Sequence, residues 1–150
     1  MQARSSIRGI AHLSVTVSDM GRAIAFYRAL GLSVSEVVHA EGALLDRLTG
    51  FLGAQLDMAT VEIGDQRLEL LQFTHPVSGG GGAPRLCDRG HVHLALLVED
   101  IDHVVTIATQ AGFEAVGAIQ TVDEGPNLGI RAVYMADPDG LVIEVLQPAD

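Results

Sequence analysis

Four side chains in this sequence have the types and spacing to do chemistry: His12, Glu69, His93 and Glu144. His12 belongs to "IAHLSVTVSDM" and His93 to "HVHLALLVEDI". The two phrases superpose without a gap, laying His12 on His93, Leu13 on Leu94, Val17 on Val98, Asp19 on Asp100 and, further on, Gly31 on Gly112. At a slightly shorter offset "LELLQ" falls on "IEVLQ", so that Glu69 meets Glu144. A lone strand histidine is ordinarily structural. A carboxylate in mid-strand, however, is costly to bury unless it is paired or holds a metal. Two imidazoles and two carboxylates at repeat-equivalent positions suit a borderline divalent cation such as Mn, Fe, Co, Ni or Zn. Such a site keeps exchangeable waters that a substrate with neighbouring oxygens can displace.

The elements that must position these groups follow from periodicity. Residues 10–17 alternate as a strand, with Leu13, Val15 and Val17 on one face and His12, Ser14 and Thr16 on the other. A helix then starts at Ser18 or Asp19 and stops at Gly31, and strands are expected over 32–39, 56–63 and 67–73. The second half repeats the plan: a strand over 91–98, a helix over 101–111 ended by Gly112, and strands over 113–121, 130–136 and 141–147, with "DPDG" as the last turn. The expected class is therefore α+β, two tandem βαβββ modules forming an open, curved, mixed β-sheet cavity with helices on the outside. A single domain results, with module one over about 8–73, a Gly-rich linker over about 74–90 and module two over about 91–148. Alternation puts all four candidate ligands on the sheet faces that the helices leave bare, and pseudo-twofold symmetry brings the pairs toward one centre. Residues 42–55, extra to the first module, space Leu44, Leu45, Leu48, Phe51 and Leu52 as a short amphipathic helix. Its apolar stripe reads as local core, with a lid over the cavity as the alternative.

Composition narrows the partners. The chain has 150 residues, 48% of them apolar, and a net charge of −10, with every one of its nine basic residues an arginine. Nucleic acid and anionic membranes would be repelled, so a small-molecule partner is expected. The N-terminal stretch lacks the apolar core of a signal peptide, no run is long enough to span a membrane, and Cys87 is alone, all of which points to the cytoplasm.

Together these residues resemble the vicinal oxygen chelate superfamily, the glyoxalase I, bleomycin-resistance and extradiol dioxygenase group. The resemblance runs from "GIAHLSVTVSDMGRAIAFYRALGLSV" to "RAVYMADPDGLVIEVLQP", nearly the whole chain. It implies that His12, Glu69, His93 and Glu144 hold a divalent metal (Zn, Ni, Co, Mn or Fe). A quartet with Glu at position 69 resembles the lyases and epimerases more than the three-ligand dioxygenases. The implied activity is that of a metal-dependent lyase or isomerase, glyoxalase-like or epimerase-like, working by enediolate chemistry with Glu144 or Glu69 moving the proton. The alternatives are an Fe(II) extradiol-type dioxygenase and a non-catalytic drug-binding resistance protein. The resemblance also implies a homodimer. Glyoxalase I and CoA epimerases bind carriers that favour cationic contacts, for which Arg47, Arg67, Arg85, Arg89 and Arg131 are available, though none matches a motif of either. Among smaller signals, His91 reads as exposed at its strand's start and Tyr134 as packing. Glu41 reads as solvated, and His39, His75 and His103 show no partner spacing.

Overall fold

The computed structural model describes residues 7–78 and 85–149. The chain is α+β, with elements in the order β1 (Leu13–Thr16), α1 (Met20–Ala29), β2 (Ser33–Val34), β3 (Val38–Glu41), α2 (Ala43–Thr49), β4 (Gln55–Ile63) and β5 (Gln66–His75), then β6 (His93–Leu97), α3 (Ile101–Gln110), β7 (Glu114–Ala115), β8 (Gln120–Thr121), β9 (Arg131–Ala136) and β10 (Val142–Gln147). The two halves build the same sheet. Module one runs β1-β5-β4-β2 with β3 also on β4, and module two runs β6-β10-β9-β7 with β8 also on β9. Both sheets are mixed: β1 is parallel to β5 and β6 to β10, and the remaining pairings are antiparallel. Neither path closes on itself. The expected linker of about 74–90 begins within β5, which runs to His75, and its glycine run, Gly79–Gly82, lies outside the described residues.

Each sheet has five strands where four were expected, because the second strand of each module is broken. In module one the break falls at Ser35, whose amide donates to Thr60 O while its Oγ accepts from Thr60 N, both at 2.9 Å. That side chain replaces a ladder bond and lets the chain leave β4 and rejoin it at Val38. In module two the interruption between β7 and β8 contains Gly117, a poor strand former.

The core of the first compact unit (the chain up to Ala23 with Leu32–Val77) contains Val61, Leu68 and Leu70, each 2% exposed or less. The second unit (Ile24–Gly31 with the chain from Ser78 on) buries Ile101, Met135, Ile143 and Val145 completely. The second half of α1 clusters with this unit, where Phe26 lies 4.6 Å from Phe113, ring centre to ring centre. Gly31 and Gly112 follow their helices at φ of +82° and +94°, a conformation glycine adopts without the penalty of a Cβ.

Helix starts are built identically from both modules. Asp19 Oδ1 accepts from Arg22 N and Asp100 Oδ1 from His103 N, the side-chain caps expected of aspartate. A second acceptor comes from the sheet: Gln72 Oε1 takes Met20 N at 2.7 Å and Gln147 Oε1 takes Ile101 N at 3.0 Å. These glutamines end the repeated "LELLQ" and "IEVLQ" phrases, so the strand that carries each candidate carboxylate also anchors its module's helix. Gln147→Leu is expected to leave the Ile101 amide without its partner and to cost about 1 kcal/mol. Urea unfolding should show a lower midpoint at unchanged slope, with Gln72→Leu behaving alike.

Candidate functional site

The structure brings the four predicted residues together as two pairs, one in each unit. His93 Nε2 lies 3.1 Å from Glu144 Oε2, and His12 Nε2 lies 3.8 Å from Glu69 Oε1. Glu69 stands between buried Leu68 and Leu70, and Glu144 between buried Ile143 and Val145, so alternation sends both carboxylates to the opposite face. Both strands are interior, which fixes that direction from two sides: Glu69 is opposite Ser14 on β1 and Thr60 on β4, and Glu144 is opposite Ala95 on β6 and Tyr134 on β9. His93 opens β6, but His12 precedes β1, which begins at Leu13 rather than Ile10. Ordered pairing with β5 starts there, so the expectation of four ligands within strands holds for three of them.

The pairs differ in what surrounds them. Tyr134 meets the His93 ring edge-on, with centroids 5.4 Å apart and planes at 88°. Its hydroxyl lies within hydrogen-bonding reach of Glu144. Burial first, then that bond and the carboxylate's charge, push the Tyr134 pKa up. Tyr134 thus packs against His93, as expected of a strand tyrosine. Thr60 occupies the corresponding place beside Glu69.

Both pairs fit a metal by donor chemistry, and the module-two pair also by spacing. Ligands about 2.1 Å from a divalent ion stand about 3.0 Å apart at a right angle and about 3.4 Å apart at the tetrahedral angle. The 3.1 Å pair falls inside that range and the 3.8 Å pair just beyond it. The fit is at the level of the pair: among the described residues, no group of three or more His, Cys, Asp and Glu side chains is gathered for a metal.

Other expectations are revised. His91 lies outside β6 and is half-buried rather than exposed, because a turn in which its amide donates to Asp88 O folds it inward. Arg131 is engaged by Asp102 through two contacts, at 2.8 and 3.3 Å, which holds the Asp102 carboxyl below its usual range. Arg85 is similarly bound to Asp88. The segment read as local core is instead exposed: α2 has no buried residue, with Leu44 64%, Leu48 75% and Phe51 47% exposed.

A cluster without a sequence-spacing signal surrounds His39. Its Nδ1 lies 2.8 Å from Asp57 Oδ1, directly across the β3–β4 ladder, and its Nε2 lies 3.6 Å from Glu41 Oε2. Glu41 in turn accepts from Gln55 Nε2 at 3.1 Å, so it is not simply solvated. Only strand pairing reveals these partners, since Asp57 is distant in sequence. The Asp57 hydrogen bond, then that of Glu41 and the charge of both, raise the His39 pKa above 6.5.

No helix among the described residues is long and apolar enough to cross a membrane. The repeated βαβββ sheets, each with a His–Glu pair at or just before its parallel strands, define the class, and comparison with known proteins agrees. Residues 9–145 match the Glyoxalase/Bleomycin resistance protein/Dioxygenase superfamily, and the chain belongs to that family. A 2-epi-5-epi-valiolone epimerase from Actinomyces sp. is 31% identical over 148 residues, covering 90% of this chain and 76% of the relative. Among solved structures, a glyoxalase family protein from Bacillus cereus superposes with a TM-score of 0.84 at 24% identity over 100% of both chains. A fosfomycin resistance protein from Mesorhizobium loti does so at 0.54 and 17% identity, over 93% of this chain and 90% of that one.

The His39 cluster has a definite pH signature. A group whose folded pKa is raised stabilises fully below its unfolded value and loses that contribution as pH rises through the folded value. His39→Gln should therefore be less stable than the parent below about pH 6.5, the difference fading above it. Urea midpoints measured from pH 5.5 to 9 check this, and the His39 ring protons should titrate above 6.5 by NMR.

Proposed function

We propose that the protein is a divalent-metal-dependent isomerase of the epimerase type, moving a proton at a carbon beside a carbonyl in a small oxygen-bearing substrate. The observation that carries this reading is the repeated His–Glu pair, one on the parallel strands of each module. Family membership and the epimerase relative support the reaction type. In this reading His12, Glu69, His93 and Glu144 would hold the metal, with Zn, Ni, Co, Mn or Fe compatible with their N and O donors. Bound there, such an ion acts as a Lewis acid on the carbonyl and acidifies the neighbouring C–H.

The two carboxylates then divide the work. Glu144 is held by His93 at 3.1 Å and stands across the ladder from Tyr134, which suits a permanent ligand. Glu69 has its histidine at 3.8 Å, beyond hydrogen-bond length, and Thr60 in place of a tyrosine. We assign proton transfer to Glu69, whose carboxylate is the freer to reach a substrate carbon.

Tyr134 favours one second reading, an iron-dependent ring-cleaving dioxygenase in which the hydroxyl serves as acid–base partner. Oxygen uptake with catechol separates it from the isomerase.

Elemental analysis of protein purified without chelator should find a stoichiometric divalent metal. Glu144→Gln should lower metal affinity tenfold or more. Glu69→Gln keeps an oxygen donor and should retain the metal, yet lose solvent-deuterium exchange at the carbon beside the carbonyl by about 10²-fold or more. A metal-free protein, or an unimpaired Glu69→Gln variant, would overturn the assignment.

A further inference from the structure

The sheet face that bears Glu69 changes character along its length. Ladder partners share a face, so Glu69 with Thr60, Leu71 with Met58, and Phe73 with Leu56 form three successive rungs on one side of β5 and β4. The first rung is polar and the next two are apolar. Leu71, Met58 and Phe73 are only half-buried, with Leu56 closed in at the far rung, whereas the reverse face of the same strands is closed over Val61, Leu68 and Leu70. The far end of this row is met by the segment that follows α2: the Phe51 ring stands edge-on to Phe73, at 6.1 Å and 82°. Beyond it, α2 presents Leu44 and Leu48 at successive turns, both largely exposed. An apolar row of this kind, leading away from a carboxylate on one face, fits a ligand with an oxygen-bearing head and an apolar arm. At about 3.3 Å per residue, the path from Glu69 to Phe73 is about 13 Å long. Anionic carriers fit poorly, because the chain carries a net charge of −10 and two of its candidate cations, Arg85 and Arg131, are bound by Asp88 and Asp102.

We propose that the substrate carries an apolar arm, seated on Leu71, Met58 and Phe73 and covered by the Phe51 end of the α2 segment. This rests on the placement of proton chemistry at Glu69 and adds the substrate class: an uncharged hydroxycarbonyl compound with an alkyl or aryl substituent, rather than the valiolone epimer named for the relative. Burial of apolar surface supplies the selectivity, at roughly fourfold in kcat/KM for each methylene covered.

The test uses two probes of one chemistry, hydroxyacetone and 1-hydroxy-2-octanone, with the metal-loaded wild-type protein. Solvent-deuterium exchange reads proton transfer, and saturation-transfer NMR reads contact with the alkyl protons. The expected result is a kcat/KM for the long probe at least about tenfold higher, strong saturation of its chain, and loss of both in Leu71→Gln. Equal exchange of the two probes without chain saturation would overturn the arm while leaving the isomerase reading intact. Chain saturation without exchange of either probe would uphold the arm and overturn that reading. Leu48→Glu lies at an exposed position and spares the core. If the wild-type protein shows no preference between the probes while Leu48→Glu converts an oligomer to a monomer, the apolar row serves an interface between copies and the proposal falls.

Discussion

The fold turns on one constraint: a carboxylate stands between two fully buried aliphatic residues on a strand that is hydrogen-bonded on both sides. Glu69 on β5 and Glu144 on β10 both meet it. An edge strand could twist or slip to bring such a group to water. An interior strand cannot, since a slip of one residue would expose Leu68 and Leu70, or Ile143 and Val145, on the wrong face. Core packing therefore aims the carboxylate, and the cost of its desolvation is offset by whatever it binds.

The same two strands also hold the helices. Gln72 and Gln147 lie three residues beyond their glutamates and accept the first amide of α1 and of α3. The odd spacing puts glutamate and glutamine on opposite faces, one toward the candidate site and the other toward the helix. A single strand thus ties helix start, core and functional group to one register. Disturbing the register would disturb all three, which explains why both modules share the pattern "E-x-x-Q" through this strand.

What the sequence made legible was what repeats or alternates. The duplicated phrases showed two modules, period two gave the facing of Glu69 and Glu144, and Asp19, Asp100, Gly31 and Gly112 marked the helix ends. Less legible was whatever depends on pairing across the chain. The broken second strand rests on a Ser35–Thr60 exchange, and the His39–Asp57 contact on the β3–β4 register, neither of which has a local signal. The apolar spacing of α2 correctly gave a helix but wrongly gave it a buried face. Periodicity reports which side of a helix is apolar, and burial depends on what the rest of the chain brings to it. His12 was placed inside a strand because alternation continues upstream, although pairing with β5 begins one residue later.

The departures from symmetry carry the most functional meaning. Two modules that retain the same His–Glu pair have diverged beside it. Tyr134 stands across the ladder from Glu144 and Thr60 across from Glu69, and only module one carries the α2 insertion. A pair of identical half-sites would hold two carboxylates in the same state, able to bind but not to act differently. The tyrosine stands beside a carboxylate whose histidine lies at 3.1 Å, whereas the threonine lies beside one whose histidine is at 3.8 Å. Duplication supplies the matched pairs, and a single ladder position, Tyr in one copy and Thr in the other, makes their surroundings unequal.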